Sequence, residues 1–227
     1  VNRFMRIDRG LGERVWAYVR SAPGTYIWLA ILFVTTVALH HMSPEFEKEF
    51  MRQRSTNIHE LSNDPVRVLV QSAMWIDGGD WFPYAFLYTA FQYTVFHAQA
   101  ERWLGTVRWL MVCAAAHVLA TLISEGALLK AVRDGGVSHS AVYSLDFGVS
   151  YALAGVVGVL TYRIAAPWRY GYLAAVFFVY GEAIVGSPTF TDFGHFLSVL
   201  IGLACYPLAR GRGEAWDPRE TVSALRG

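Results

Sequence analysis

The sequence predicts an all-α polytopic membrane protein, a bundle of six transmembrane helices with both termini in the cytoplasm. Three observations predict it. Only 16% of the 227 residues are charged and 54% are hydrophobic, whereas ordinary soluble domains carry about a quarter charged residues. Apolar stretches near the roughly 20 residues that cross a hydrocarbon core recur along the whole chain. Thirteen of the 19 Lys and Arg residues fall on one side of the alternation that six spans impose, and this bias sets orientation.

The basic segment 1–24 contains FMRIDRGLGERVWAYV, with Phe4, Ile7, Leu11, Val15 and Trp16 scattered among arginines. Two readings are open: an amphipathic helix lying on the inner membrane surface, or a solvated positive-inside leader. The first span follows at about Thr25–Met42, around YIWLAILFVTTVAL. No small-x-small cleavage site follows its apolar run, so it reads as a retained helix. The longest connection, about 43–80, is outside. It holds a charged piece, SPEFEKEFMRQR, and an apolar one, PVRVLVQSAMW, too short to span and expected to be half-buried or interfacial. A connection this long is usually functional or ordered by its own helices.

The remaining spans are expected at about Trp81–Ala100, Val107–Ile123, Ser144–Tyr162, Trp168–Val185 and Asp192–Leu208. Residues 25–209 then form one membrane domain, and the polar tail 210–227 is expected to be mobile in the cytoplasm. The outer segments hold only Lys48, Arg52, Arg54, Arg67, Lys130 and Arg133.

Other functions are excluded early. A net charge of +1 and no basic tract interleaved with aromatics give no nucleic-acid surface. Cys113 and Cys205 lie inside apolar spans, which argues against a disulfide framework. There is no HExxH or CxxC, hence no metal motif, and no cofactor is called for. A proton or cation path through Asp146, Glu182, Asp192 and His195 ranks last, because these acids cluster at the outer end.

Spans four and six carry small residues every four positions: Ser150, Ala154 and Gly158 in one, Gly194, Ser198 and Gly202 in the other. Such stripes let helix backbones approach closely in lipid, so the two helices are expected to be neighbours. Packing accounts for Ser198. Ser150, expected about two turns below the outer end of span four, and His195, about one turn into span six, lie at similar depth. Ionisable groups within spans are uncommon and usually functional, and a serine becomes a nucleophile when a nearby histidine takes its proton. Asp146 and Asp192 read first as helix N-caps. Asp192, three residues before His195, has the second reading of orienting the imidazole. His97 and His117 read as packed, hydrogen-bonded histidines.

Six spans, a GxS in span four and a histidine in span six together resemble the rhomboid family of intramembrane serine proteases. The matching stretches are GVSYALAGVVG, with Gly148, Ser150, Gly155 and Gly158; HFLSVLIG, with His195, Ser198 and Gly202; and ERWLG, Glu101–Gly105, at the end of span two. The resemblance covers roughly Trp81–Pro207. It implies a six-helix rhomboid-like bundle in the cell membrane, of a divergent bacterial branch. It also implies a Ser150–His195 dyad that cleaves transmembrane segments of membrane proteins without metal or cofactor. The alternative is a pseudoprotease that binds transmembrane clients.

The chain departs from the family in three places. Tyr151 replaces the glycine after the serine. Counting back from Glu101, the family's HxxxN falls at Ala85 and Thr89. The family's tyrosine that stacks on the catalytic histidine falls at Ala154. Oxyanion donors are worth several kcal/mol of transition-state stabilisation. Here Thr89, Tyr151 or backbone N–H groups beside Gly148 and Ser150 are the candidates, with Asp146 and Asp192 as possible support.

Overall fold

A computed structural model of the chain describes residues 2–76, 82–186, 188–213 and 215–224. The expected start of span two at Trp81 and the inner-side Arg226 lie outside the described residues. Among those described, every regular element is helical, and one isolated bridge pairs Ile164 with Trp216.

Helix α1 (Asn2–Arg20) ends two residues before α2 (Pro23–His40). Leu11, Val15 and Trp16 of α1 are exposed. The helix is held at its end by the Arg102 guanidinium, 3.5 Å over the Tyr18 ring and 2.6 Å from the Ser21 hydroxyl. The long connection after α2 folds into α3 (Pro44–Arg52), α4 (Ile58–Asn63) and α5 (Pro65–Ser72). Each starts where the sequence supplies a stop for the preceding chain: Pro44 and Pro65 at first helical positions, and Asn57 and Asp64 accepting N–H groups of α4 and α5. The piece PVRVLVQS is a half-buried helix, as expected. Val68 and Ser72 are fully buried, while Val66 and Val70 face outward.

Span two is one helical rod in three parts: α6 (Tyr84–Gln92), a π turn (Tyr93–His97) and α7 (Ala98–Leu104). Gly105, at φ +83°, turns the chain into α8 (Thr106–Arg133). This helix runs ten residues past the expected Ile123, because SEGALLKAVR is rich in helix formers and still buries Ser124, Glu125 and Leu128. Helices α9 (Gly148–Leu160), α10 (Trp168–Val185) and α11 (Phe190–Ala204) follow, then the short α12 (Tyr206–Ala209) and α13 (Pro218–Ala224). Helices α2 and α8 are long and apolar enough to cross a membrane by length and composition. The outward faces of α2, α6, α8 and α10 expose Ile27, Val34, Leu87, Phe91, Leu110 and Phe178.

The centre is the mutual packing of α8, α9 and α11. Helix α9 is buried along its length except at Ser150. The expected closeness of α9 and α11 is present: a Cβ on Gly202 would overlap the backbone of Gly155, and one on Gly158 would overlap the Val199 carbonyl. Ala154 packs with Val199 and Val176, and the buried Ser198 hydroxyl donates to the Gly194 carbonyl at 2.9 Å, so Ser198 is a packing residue. Helix α10 is held more lightly, with only Val176 buried and the Tyr172 hydroxyl donating to the Val157 carbonyl at 2.8 Å.

One buried carboxylate organises the opposite end. Glu101, 2% exposed, accepts from the N–H of Gly24 (2.9 Å) and Thr25 (2.7 Å) and from the hydroxyls of Thr25 (2.7 Å) and Thr106 (2.8 Å). It thereby caps α2 and ties it to the start of α8. The tail corrects the expectation of mobility over its first part. The Trp216 N–H donates to the Arg163 carbonyl at 2.7 Å, and the Trp103 indole donates to the Arg212 carbonyl at 2.7 Å.

Candidate functional site

Helix α9 starts four residues later than the expected Ser144, and the reason is a tether. The connection between α3 and α4 reaches α9 at Thr56, whose N–H (2.9 Å) and hydroxyl (3.1 Å) both donate to the Asp146 carbonyl. That oxygen is then spent, and the chain stays extended through Phe147 (φ −134°, ψ 135°). Asp146 is therefore not the N-cap. Phe147 holds that position, and the Asp146 carboxylate accepts from the Phe147 N–H (3.1 Å) and the Thr56 hydroxyl (3.3 Å).

Ser150 is thus in the first turn of α9, not two turns in. The N–H groups of a first helical turn have no intrahelical acceptor and lie at the positive end of the helix dipole. Gly148, at the head of that turn, makes room for the His117 ring, which a Cβ would overlap. His117 bonds the Leu69 carbonyl at 2.8 Å, joining α8 to α5. His97 is fully buried, stacked 4.1 Å from the Tyr93 ring, and accepts the Trp109 indole N–H at 3.1 Å. Both histidines are packing residues.

Ser150 opens onto a cavity of about 600 Å³ lined also by His195, Asp146, Trp75, Tyr88, Thr89, Gln92, Tyr180 and Thr191. His195, the sixth residue of α11, is half-buried, and its Nε2 is enclosed without a hydrogen-bond partner. The serine and histidine share the cavity but no hydrogen bond. The Ser150 hydroxyl lies 3.4 Å from the Phe147 carbonyl.

The supporting residues divide differently from expectation. Asp192 does not orient the imidazole. Its Oδ2 accepts the Thr189 N–H (2.9 Å) and hydroxyl (2.7 Å), closing a capping box in which Thr189 is the N-cap. Thr89 lines the cavity, but its one proton goes to the Ala85 carbonyl at 2.9 Å, so it is not a free oxyanion donor. Tyr151 neither blocks the cavity nor offers its hydroxyl there. It is fully buried, seated where Gly194 lacks a side chain, with its hydroxyl beside Ser124 and Asp146 and outside hydrogen-bond geometry. Its ring meets His195 edge-on at 5.1 Å, and Tyr180 lies 6.4 Å from the same imidazole. Aromatic support for His195 is present after all, supplied from positions other than Ala154. Glu182 is exposed.

Three residues were not found from the sequence. Tyr180 sits in an aromatic run with nothing local to mark it. Glu125 is 4% exposed with neither carboxylate oxygen bonded, near Asp146. Gln92 lines the cavity and makes no hydrogen bond among the described residues. Its signal was a lone amide in the apolar and aromatic run AFLYTAFQYTVFHA. It stands directly before the π turn.

These features define an all-helical protein whose apolar helices surround a cavity, with a serine and a histidine contributed by two helices in direct contact. The family model for rhomboid-like proteins matches residues 17–215, and the chain belongs to that family. No curated protein and no solved structure matches the chain.

Proposed function

We propose that the chain is an intramembrane serine protease with six spans and both ends in the cytoplasm, cleaving a membrane protein within or beside its transmembrane segment. The observation that carries this reading is the shared cavity. Ser150, the one residue of α9 that is not buried, opens onto the same space as a histidine whose Nε2 has no other partner.

In the reaction, the Ser150 hydroxyl turns from the Phe147 carbonyl to His195 and gives up its proton to Nε2 as Oγ attacks the scissile carbonyl. His195 then returns that proton to the leaving amine. A water, deprotonated in the same way, releases the acyl group from Ser150. The short length of α9 supports a buried site. Its 13 residues span about 20 Å, less than the roughly 30 Å hydrocarbon core. Ser150 then lies below the outer rim. The extended backbone ahead of it is satisfied by Thr56 rather than by lipid-exposed groups, as irregular backbone at that depth requires.

The test is labelling of the full chain in lipid nanodiscs with a fluorophosphonate. The expected result is a labelled wild type and no labelling of Ser150→Ala or His195→Ala. A second reading, a pseudoprotease that holds transmembrane clients, is favoured by the open Ser150–His195 pair and the committed Thr89 proton. It predicts no labelling and client co-purification unchanged in Ser150→Ala.

A further inference from the structure

We propose that the Gln92 side-chain amide is the oxyanion donor of this site. The proposal rests on the protease reading above. A serine attack moves the carbonyl π pair onto oxygen as the Oγ–C bond forms and the proton passes to His195. The resulting anion needs a neutral or cationic donor already aimed into the cavity. No proton is transferred to it, and the donor is released unchanged when the carbonyl re-forms.

The cavity wall narrows the choice of donor. Asp146 offers a carboxylate, which would repel the anion. Thr89 has committed its proton to the Ala85 carbonyl. Tyr93 also lines the cavity, but its ring is stacked on His97 and its hydroxyl is buried without a partner, whereas the Gln92 side chain is not enclosed. Tyr151 does not line the cavity. Gln92 carries two N–H donors and makes no hydrogen bond among the described residues. It lies three residues after Thr89 on the same helix, hence on the same face. It is also the residue immediately before the π turn, a helix irregularity that concentrates at functional sites. With the first-turn N–H groups at Ser150, Gln92 would hold the oxyanion from a second helix.

The test compares fluorophosphonate labelling rates of wild type, Gln92→Met, Gln92→Glu and Ser150→Ala, each as the full chain in nanodiscs with its melting temperature measured alongside. Gln92→Met keeps the length of the side chain and removes both donors. Gln92→Glu keeps the shape and replaces donors with acceptors. The expected result is a rate lower by on the order of 100-fold in both variants at unchanged melting temperature, with no labelling of Ser150→Ala. Wild-type rates in Gln92→Met or in Gln92→Glu would overturn the role of Gln92 and leave the protease reading standing. An unlabelled wild type would overturn the protease reading, and this proposal with it.

Discussion

Tyr151 shows how one position can hold two environments together. Its ring supports His195 and fills the space that Gly194 leaves open, while its hydroxyl gains no hydrogen bond. Tyr151→Phe keeps the ring beside His195 and is expected to label with fluorophosphonate as wild type does. Tyr151→Ala should lose about 3–5 kcal/mol in denaturant unfolding, the usual cost of emptying an aromatic site. On the outer surface, Glu49 bonds Arg52 (2.7 Å) and Gln53 (2.8 Å), and these bonds hold its carboxyl down at about pH 2 rather than the ordinary 4.5. A depressed carboxyl contributes its stabilisation above the unfolded value and loses it as pH falls through the folded one. The Glu49–Arg52 contact should thus persist on acidification from 4.5 to about 2, and carboxyl-carbon NMR titration of Glu49 should give the low midpoint.

At the scale of elements, the α9–α11 contact is the least forgiving in the molecule. Gly202 faces the Gly155 backbone with no side chain between them, so Gly202→Ala must push two buried helices apart. The expected cost is about 1–3 kcal/mol, read as a lowered unfolding midpoint in mixed micelles, whereas Gly171→Ala, with open space beside it on α10, should be neutral. This contact was legible in the sequence because Ser150, Ala154 and Gly158, and Gly194, Ser198 and Gly202, recur every four residues, as helical geometry requires. Element ends were less legible. Hydropathy marks where chain is apolar, and it does not mark where α8 stops or α9 starts. The first depends on buried contacts at Leu128, the second on Thr56, 90 residues away from Asp146. Asp146 read as a cap because an aspartate that caps a helix and one that anchors a distant loop look alike in one dimension. Gln92 was hidden for a related reason: a single amide in an apolar helix carries no spacing pattern.

For the whole molecule, the family, the helical class and the placing of Ser150 and His195 on adjoining helices all follow from patterns of one or two helical turns. What binds those helices into one body is of longer range, and Glu101 is the clearest case. Glu101→Ala would strand the N–H groups of Gly24 and Thr25 in a buried place, with an expected loss of about 3 kcal/mol or more. The check is thermal unfolding in lipid, with Thr106→Ala as the milder comparison. The same carboxylate bears on the order of synthesis. Gly24 is made 77 residues before the group that accepts its N–H. While the chain is growing, the first turn of α2 stays uncapped until α7 has been made. A chain interrupted before Glu101 can still make the Trp28 bond to the Ala73 carbonyl, but it leaves the head of α2 unfastened.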